Sequence, residues 1–289
     1  MSRKILLCTD LDRTLLPNGP QSESVNARQC FARLVARPEV TLAYVTGRHQ
    51  ALVRDAIEEY TLPTPDYVVA DVGTSIYEIT ADQWQPWNNW SEEIAPDWAN
   101  LTHDQIHQLF ADLGELTLQE SSKQALHKLS YYAPLDSDSA ELINEMQMRL
   151  DKQGVSASLV WSVDELAEVG LLDVLPLRAT KLHAIEFLMQ QKNFSLTDTV
   201  FAGDSGNDLQ VLTSSLHSVL VANASSEVRM QAQEQAAAGK TTDALYLAIG
   251  DFHAMNGNYS AGILEGLAHF IPETENWWSI NHQKRDLYV

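Results

Sequence analysis

Cysteine is nearly absent from this sequence: Cys8 and Cys30 are the two among 289 residues. One sits in a stretch that reads as a buried strand and the other in a helix-like stretch, so no disulfide framework is expected and the chain suits a reducing compartment. Basic residues are scarce as well, 19 Lys and Arg against 39 Asp and Glu, for a formal net charge of −20. A field of that sign repels nucleic acid and anionic membranes, which excludes both as expected partners. Long apolar runs are missing too. The stretch Ile5–Cys8 behind Ser2-Arg3-Lys4 is too short for a signal-peptide core or a membrane span, so a cytoplasmic location is expected. There is no internal repeat, low-complexity tract or heptad run.

What is present is a hydrophobic fraction of 45%, enough at this length for a sizeable core in one large domain or two modest ones. The first third alternates short apolar runs with helix-length polar stretches: Ile5–Cys8, Ser24–Val35, Val40–Val45, Gln50–Tyr60, Tyr67–Val69. This is a βαβαβ rhythm, and strands apolar on both faces imply a parallel sheet flanked by helices. The rhythm returns in Leu172–Leu175 (strand), Thr180–Gln191 (helix), Thr199–Ala202 (strand), a helix start at Asp208–Leu212 and a strand at Ser218–Val221.

The middle differs. It opens on a passage carrying Trp84, Trp87, Trp90 and Trp98 that reads as a connection, with tryptophans expected to pack against a core. Thr102 and Gln105 then have capping-box spacing ahead of an amphipathic stripe at Ile106, Leu109, Phe110 and Leu113. A second stripe, Ile143, Met146 and Leu150, is flanked by strand-like Gln124–Tyr131 and Val155–Trp161. The expectation is an α/β, Rossmann-like core over 1–82 and 172–289, with a compact α+β insert over 83–171.

The chemistry-bearing residues fall at strand ends. Asp10 and Asp12 follow the first strand, at the carboxyl edge where open α/β sheets bind ligands. Two carboxylates at i and i+2 can divide labour, one as nucleophile and metal ligand, the other as general acid and then base. Asp-x-Asp alone is a weak signal, more often a solvated turn. Gly203-Asp204-Ser205-Gly206-Asn207-Asp208 follows another strand and brings Asp204 and Asp208 to the same edge. Four converging acids need a divalent cation, and all-oxygen ligands point to Mg²⁺ rather than zinc. Thr46-Gly47-Arg48 and Lys181 supply local positive potential for a phosphoryl group that the acidic surface would otherwise repel.

The order Asp-x-Asp-x-Thr, Thr-Gly-Arg, lone Lys, Gly-Asp-Ser-Gly-Asn-Asp resembles the four motifs of the haloacid dehalogenase superfamily, and the long insert resembles its larger α+β (C2-type) cap. The likeness narrows to sucrose-phosphate phosphatases through Leu42–Arg48, Val72-Gly73-Thr74, Lys128-Leu129-Ser130-Tyr131 and Ser260–Phe270, covering about residues 4 to 271. Three features depart from that family's pattern: Ser75 where Glu is frequent, a longer segment from Val163 to Leu171, and the tail after Ile271.

The resemblance implies an Mg²⁺-dependent phosphoric monoester hydrolase cleaving sucrose 6-phosphate. Asp10 would take the phosphoryl group and Asp12 would protonate the leaving oxygen. The metal would be held by Asp10, the backbone carbonyl of Asp12, and Asp204, with Asp208 beside them. Thr46, Gly47, Lys181 and Asn207 would bind phosphate, and Lys128 and Arg48 would reach the sugar.

Other readings stand beside this one. Another glycosyl phosphate of compatible-solute synthesis could be the substrate, or a sugar phosphomutase could share the nucleophile. A non-enzymatic sugar-phosphate sensor is a third. The synthase that makes the sugar phosphate is a candidate partner, with Trp277-Trp278 as a surface for it. His103 and His107 sit at i, i+4, but with no third ligand in the pattern they read as a wet helix face.

Overall fold

The computed structural model of the protein describes residues 3–164 and 167–278. At its centre is β1 (Ile5–Thr9), buried along its whole length, as a parallel strand covered on both faces must be. It lies between β2 (Val40–Val45) and β10 (Thr199–Gly203), parallel to both. Beyond β2 come β3 (Tyr67–Ala70), parallel, and then β4 (Ser75–Thr80) and β5 (Gln83–Pro86), antiparallel. Beyond β10 come β11 (His217–Leu220) and β12 (Leu245–Leu247), both parallel. The sheet order is β12-β11-β10-β1-β2-β3-β4-β5. The chain leaves β1 toward β2 and returns on the other side through β10, so the strand order reverses at the β1/β10 junction, the crevice where doubly wound sheets place their ligands.

The two faces of β1 feed separate cores. Ile5 and Leu7 pack with α1 (Ala27–Val35), α2 (Gln50–Glu59), α9 (Ser260–Phe270) and α10 (Glu275–Trp278). Leu6 and Cys8 pack with α3 (Asn88–Ile94), α6 (Lys181–Lys192), α7 (Leu209–Leu212) and α8 (Ser226–Gly239). Each fully buried Leu or Ile here contributes roughly 1.5–3 kcal/mol of transfer free energy. Cys8 and Cys30 are buried and unbridged.

A second sheet, β6-β7-β9-β8, is wholly antiparallel: β6 (Thr117–Leu118), β7 (Leu129–Ala133), β8 (Ala157–Asp164) and β9 (Val169–Pro176). Its inner face meets α4 (His103–Gln108) and α5 (Ser139–Lys152) around Trp98, Phe110, Tyr131, Met146 and Leu172. α4 begins at the expected Thr102/Gln105 capping box, and Asp138 caps α5 by accepting from Ala140 N and Glu141 N, each at 3.1 Å. The molecule is an α/β core carrying an α+β cap, the architecture expected from the sequence.

Several strand assignments made from sequence are corrected. Leu172–Leu175, expected in the large sheet, is the middle of β9 in the small one, paired with β7 and β8. β9 alternates buried and half-buried residues over its first half, the pattern of a sheet with one covered face, which four apolar letters in a row disguised. The tryptophan passage is regular structure, not a plain connection. β5 extends the large sheet, and Trp90 and Ile94 on α3 are buried against α6, so 83–94 goes with the core. The helix and strand pack where the tryptophans, not the polar residues between them, decide the placement.

Beyond that point the two chain connections to the cap run side by side. Arg178 donates from its backbone N (2.7 Å) and Nε (2.8 Å) to the Asp97 carboxylate, and Ser156 N donates to Asp97 O (2.7 Å). His107 is not a wet residue but sits against Tyr131, its Nδ1 2.8 Å from the phenol oxygen. Trp278 is buried beside Phe252 and His253, and Trp277 stacks under Arg37, so this pair covers the core rather than offering a free surface. The rest of the tail, and part of the segment Val163–Leu171, lie outside the described residues.

Candidate active site

Four adjacent parallel strands, β10, β1, β2 and β3, end in Asp204, Asp10, Thr46 and Asp71 at one edge of the sheet. Lys181 reaches the same place from the first turn of α6, whose start is capped by Thr180 Oγ1 accepting from His183 N (3.2 Å). The carboxylates of Asp10, Asp204 and Asp208 lie within 4.8 Å of one another, all buried. Lys181 Nζ donates to Asp208 Oδ1 (2.7 Å), Asp10 Oδ1 (2.9 Å) and Asn207 Oδ1 (3.1 Å).

Asp208 is fully occupied by the protein. Its second oxygen accepts from Asp204 N, Ser205 N and Ser205 Oγ at 3.1–3.2 Å, which closes the Asp204–Asp208 turn and anchors Lys181. Gly203 is required there, because a Cβ would meet the Asp208 carboxyl at 2.7 Å. Asp204 accepts from Thr14 Oγ1 (3.1 Å), with Arg13 Nε at 3.5 Å.

Three carboxylates facing one buried ammonium leave an excess of negative charge. Burial pushes Asp10 up to about 7, with Asp208 and Asp204 adding to the rise against the pull of Lys181. Burial and Asp208 push Asp204 up to about 6. Burial works against the charge on Lys181, yet Asp10 and Asp208 hold the ammonium above the ordinary lysine range. An all-oxygen, over-acidic, buried donor set fits a hard divalent cation, which would return Asp10 and Asp204 to their ionised forms.

Asp12 is placed differently. Its carboxylate lies outside the three-acid cluster and is gripped by Arg48, Nε to Oδ2 at 2.8 Å and Nη2 to Oδ1 at 2.6 Å, and by Asn18 Nδ2 at 2.7 Å. Burial opposes ionisation of Asp12, but the Arg48 bonds hold it below the ordinary carboxylate range. Arg48, expected on the sugar side, is thus bound to Asp12 in this structure. Thr46 is buried, and its Oγ1 accepts from Arg48 N (3.2 Å). Gly47 meets no steric demand, its nearest neighbour being Val72 at 3.8 Å, so any phosphate contact from it is through the backbone amide.

Lys128 comes from the cap. Buried at the start of β7, its Nζ stands 3.4 Å from Asp71 Oδ1 and 3.9 Å from Asp173 Oδ2. Between cap and core is a cleft of about 460 Å³ lined by His49, Asp71, Ser75, Asn88, Gln124 and Leu126 among others. Sequence reading passed over Asp71 and Asn18. The signal for Asp71 was available, since it follows a strand at the same edge as Asp10 and Asp204; Asn18 lies in a loop whose path no local pattern reveals.

Aspartates at the ends of the first and tenth strands, a lysine clamped between Asp10 and Asp208, and an inserted cap define a phosphatase of the haloacid dehalogenase superfamily. More narrowly, the chain belongs to the sucrose-6F-phosphate phosphohydrolase family, whose model matches residues 3–271. It is 55% identical over 284 residues to a Nitrosococcus oceani protein described as a HAD-like hydrolase, covering 98% of this chain and 76% of that one. It is 27% identical to sucrose-phosphatase 1 of Nicotiana tabacum over 92% of this chain but 59% of the tobacco protein. Among solved structures it superposes on the sucrose-phosphatase of Synechocystis, in complex with sucrose and phosphate, with a TM-score of 0.67 at 25% identity, covering 93% of this chain and 99% of that one.

Proposed function

We propose that this phosphatase hydrolyses sucrose 6-phosphate to sucrose and inorganic phosphate through an aspartyl-phosphate on Asp10, with Mg²⁺ as cofactor. The observation that carries the chemistry is the seat of Lys181 Nζ between Asp10, Asp208 and Asn207 at the strand-order reversal. Family membership and the sucrose complex of the Synechocystis relative support the sugar.

In the first half-reaction an Asp10 oxygen attacks phosphorus, the bond from phosphorus to the sugar oxygen breaks, and Asp12 delivers a proton to that oxygen. In the second, water attacks the same phosphorus, Asp12 takes its proton, and Asp10 leaves as a carboxylate. Lys181, Asn207, Thr46 and the Gly47 amide hold the phosphoryl oxygens in line. Asp10, Asp204 and the backbone carbonyl of Asp12 would hold Mg²⁺, which would supply charge neutralisation for the transfer. Because Arg48 keeps Asp12 ionised in the resting site, the acid role requires Arg48 to exchange Asp12 for the incoming phosphate, a bidentate acceptor of similar geometry.

The same reading puts the reaction in the cytosol, where Cys8 and Cys30 stay reduced, and makes the synthase that supplies the sugar phosphate a candidate partner. Among the described residues no helix is long and apolar enough to cross a membrane.

The test is phosphate release by purified protein with Mg²⁺ from sucrose 6-phosphate and a panel of other glycosyl phosphates, with no bisphosphate activator. Sucrose 6-phosphate is expected to lead by about tenfold or more in kcat/KM, the discrimination a site bonded to substrate hydroxyls can exert. Comparable rates across the panel would sink the sucrose reading, and no phosphate without activator would point to a mutase.

A further inference from the structure

The chain leaves β3 through an unusual turn. Asp71, Val72 and Gly73 have φ of 52°, 60° and 107°, and for the β-branched Val72 a positive φ is strained. The surroundings impose it. Asp71 N donates to Arg48 O (3.0 Å), Val72 N to Thr46 O (3.2 Å), and Trp90 Nε1 to Gly73 O (3.0 Å). On the far side Gly73 lies against the start of α6 so closely that a Cβ would meet the Thr180 carbonyl carbon at 2.6 Å. One short turn is therefore knit to Thr46, to Arg48 and to the base of Lys181. Its outcome is to drive the Asp71 carboxylate into the wall of the cleft, where it is buried opposite Lys128 of the cap.

The Asp71–Lys128 contact is loose for an ion pair, 3.4 Å, and the second acid at Lys128, Asp173, is at 3.9 Å and already accepts from Ser130 Oγ. A carboxylate in the cleft wall with an ammonium beside it matches two neighbouring hydroxyls of a sugar. One hydroxyl donates to the carboxylate while the next accepts from the ammonium. Core and cap each contribute one member, so a ligand that engages both also holds the cap against the core.

Resting on the proposed sugar-phosphatase function, we propose that Asp71 is a specificity-determining residue: with Lys128 it brackets a vicinal pair of sugar hydroxyls, placed there by the strained turn that also touches the phosphate-binding residues.

Asp71→Asn keeps the size and the tolerance of positive φ, since Asn adopts that conformation readily, and loses the charged acceptor. Full-length protein with Mg²⁺ is assayed on sucrose 6-phosphate, the glycosyl-phosphate panel and p-nitrophenyl phosphate, which has no sugar hydroxyls. The variant is expected to lose about 10- to 100-fold more kcat/KM on the best glycosyl phosphate than on p-nitrophenyl phosphate, as for loss of one charged hydrogen bond, mainly through KM. Equal losses on both substrates, or no loss on either, would overturn the assignment. A wild-type enzyme that prefers another glycosyl phosphate would instead refute the sucrose reading while leaving the Asp71 ratio to be read on that substrate.

Discussion

The two sides of the cleft are built on opposite principles. At the sheet edge, buried charges are tied down by the protein itself: Lys181 has three acceptors and Asp208 four donors. On the cap side the cleft is lined by Ser122, Gln124, Ala125 and Leu126, the last of them exposed. The first arrangement spends folding energy on holding an electrostatically costly site in place before substrate arrives, which is what phosphoryl transfer requires. The second is a small mixed surface of one hydroxyl, one amide and two apolar side chains, with no buried charge to hold in place.

The largest blow to this contrast should come from Asp10→Asn. Turnover is expected to fall by at least about 10⁴-fold, as for loss of a covalent nucleophile, while metal-free thermal stability at neutral pH does not drop, because a buried like charge has gone. Near-normal hydrolysis would remove Asp10 from the chemistry.

A pH series comes next. Asp10 and Asp204 rise from 3.8 to about 7 and about 6 on folding, so the folded, metal-free protein binds more protons than the unfolded chain. That contribution to stability is complete below about pH 4 and is lost as pH climbs through about 6 to 7. Asp204→Asn in a chelator should therefore gain in melting temperature relative to wild type between those limits, and the gain should reverse when Mg²⁺ is added. A constant difference across pH would mean that the cluster is not electrostatically strained.

The smallest effect belongs to the cap. Gln124 Nε2 donates to Ser130 O (2.9 Å) and Gln119 O (3.1 Å), and its Oε1 accepts from Ser130 N (2.9 Å), shaping the cleft from behind β7. Gln124→Ala should cost about 1–3 kcal/mol in denaturant unfolding, for buried partners left unpaired, and raise KM more than it lowers kcat. A larger effect on kcat than on KM would show that the cap takes part in the chemistry and would blur the contrast.

Much of the sheet edge was legible because strand, turn and acidic residue are contiguous in the chain. Asp10, Thr46, Asp204 and the start of the Lys181 helix are each announced by a local pattern of apolar run followed by a polar turn, and the parallel sheet brings such ends together as a matter of geometry. The cap was harder. Leu172–Leu175 has the same letters as a core strand, and only its pairing with β7 and β8 assigns it to the other sheet. The tryptophan passage, poor in any period, is ordered by burial against α6.

By itself the sequence determined the class of chemistry to expect: an acidic chain in which Asp10, Asp204 and Asp208, Thr46-Gly47-Arg48 and Lys181 fall in motifs at element ends. The tertiary structure alone decided that Arg48 grips Asp12, that Asp208 serves Lys181 rather than standing free, and that Asp71 of the core meets Lys128 of the cap. Those contacts join residues 27 to 57 positions apart. Ion pairs and hydrogen bonds act over a few ångströms between groups that only packing brings together, so no local pattern in the chain records them.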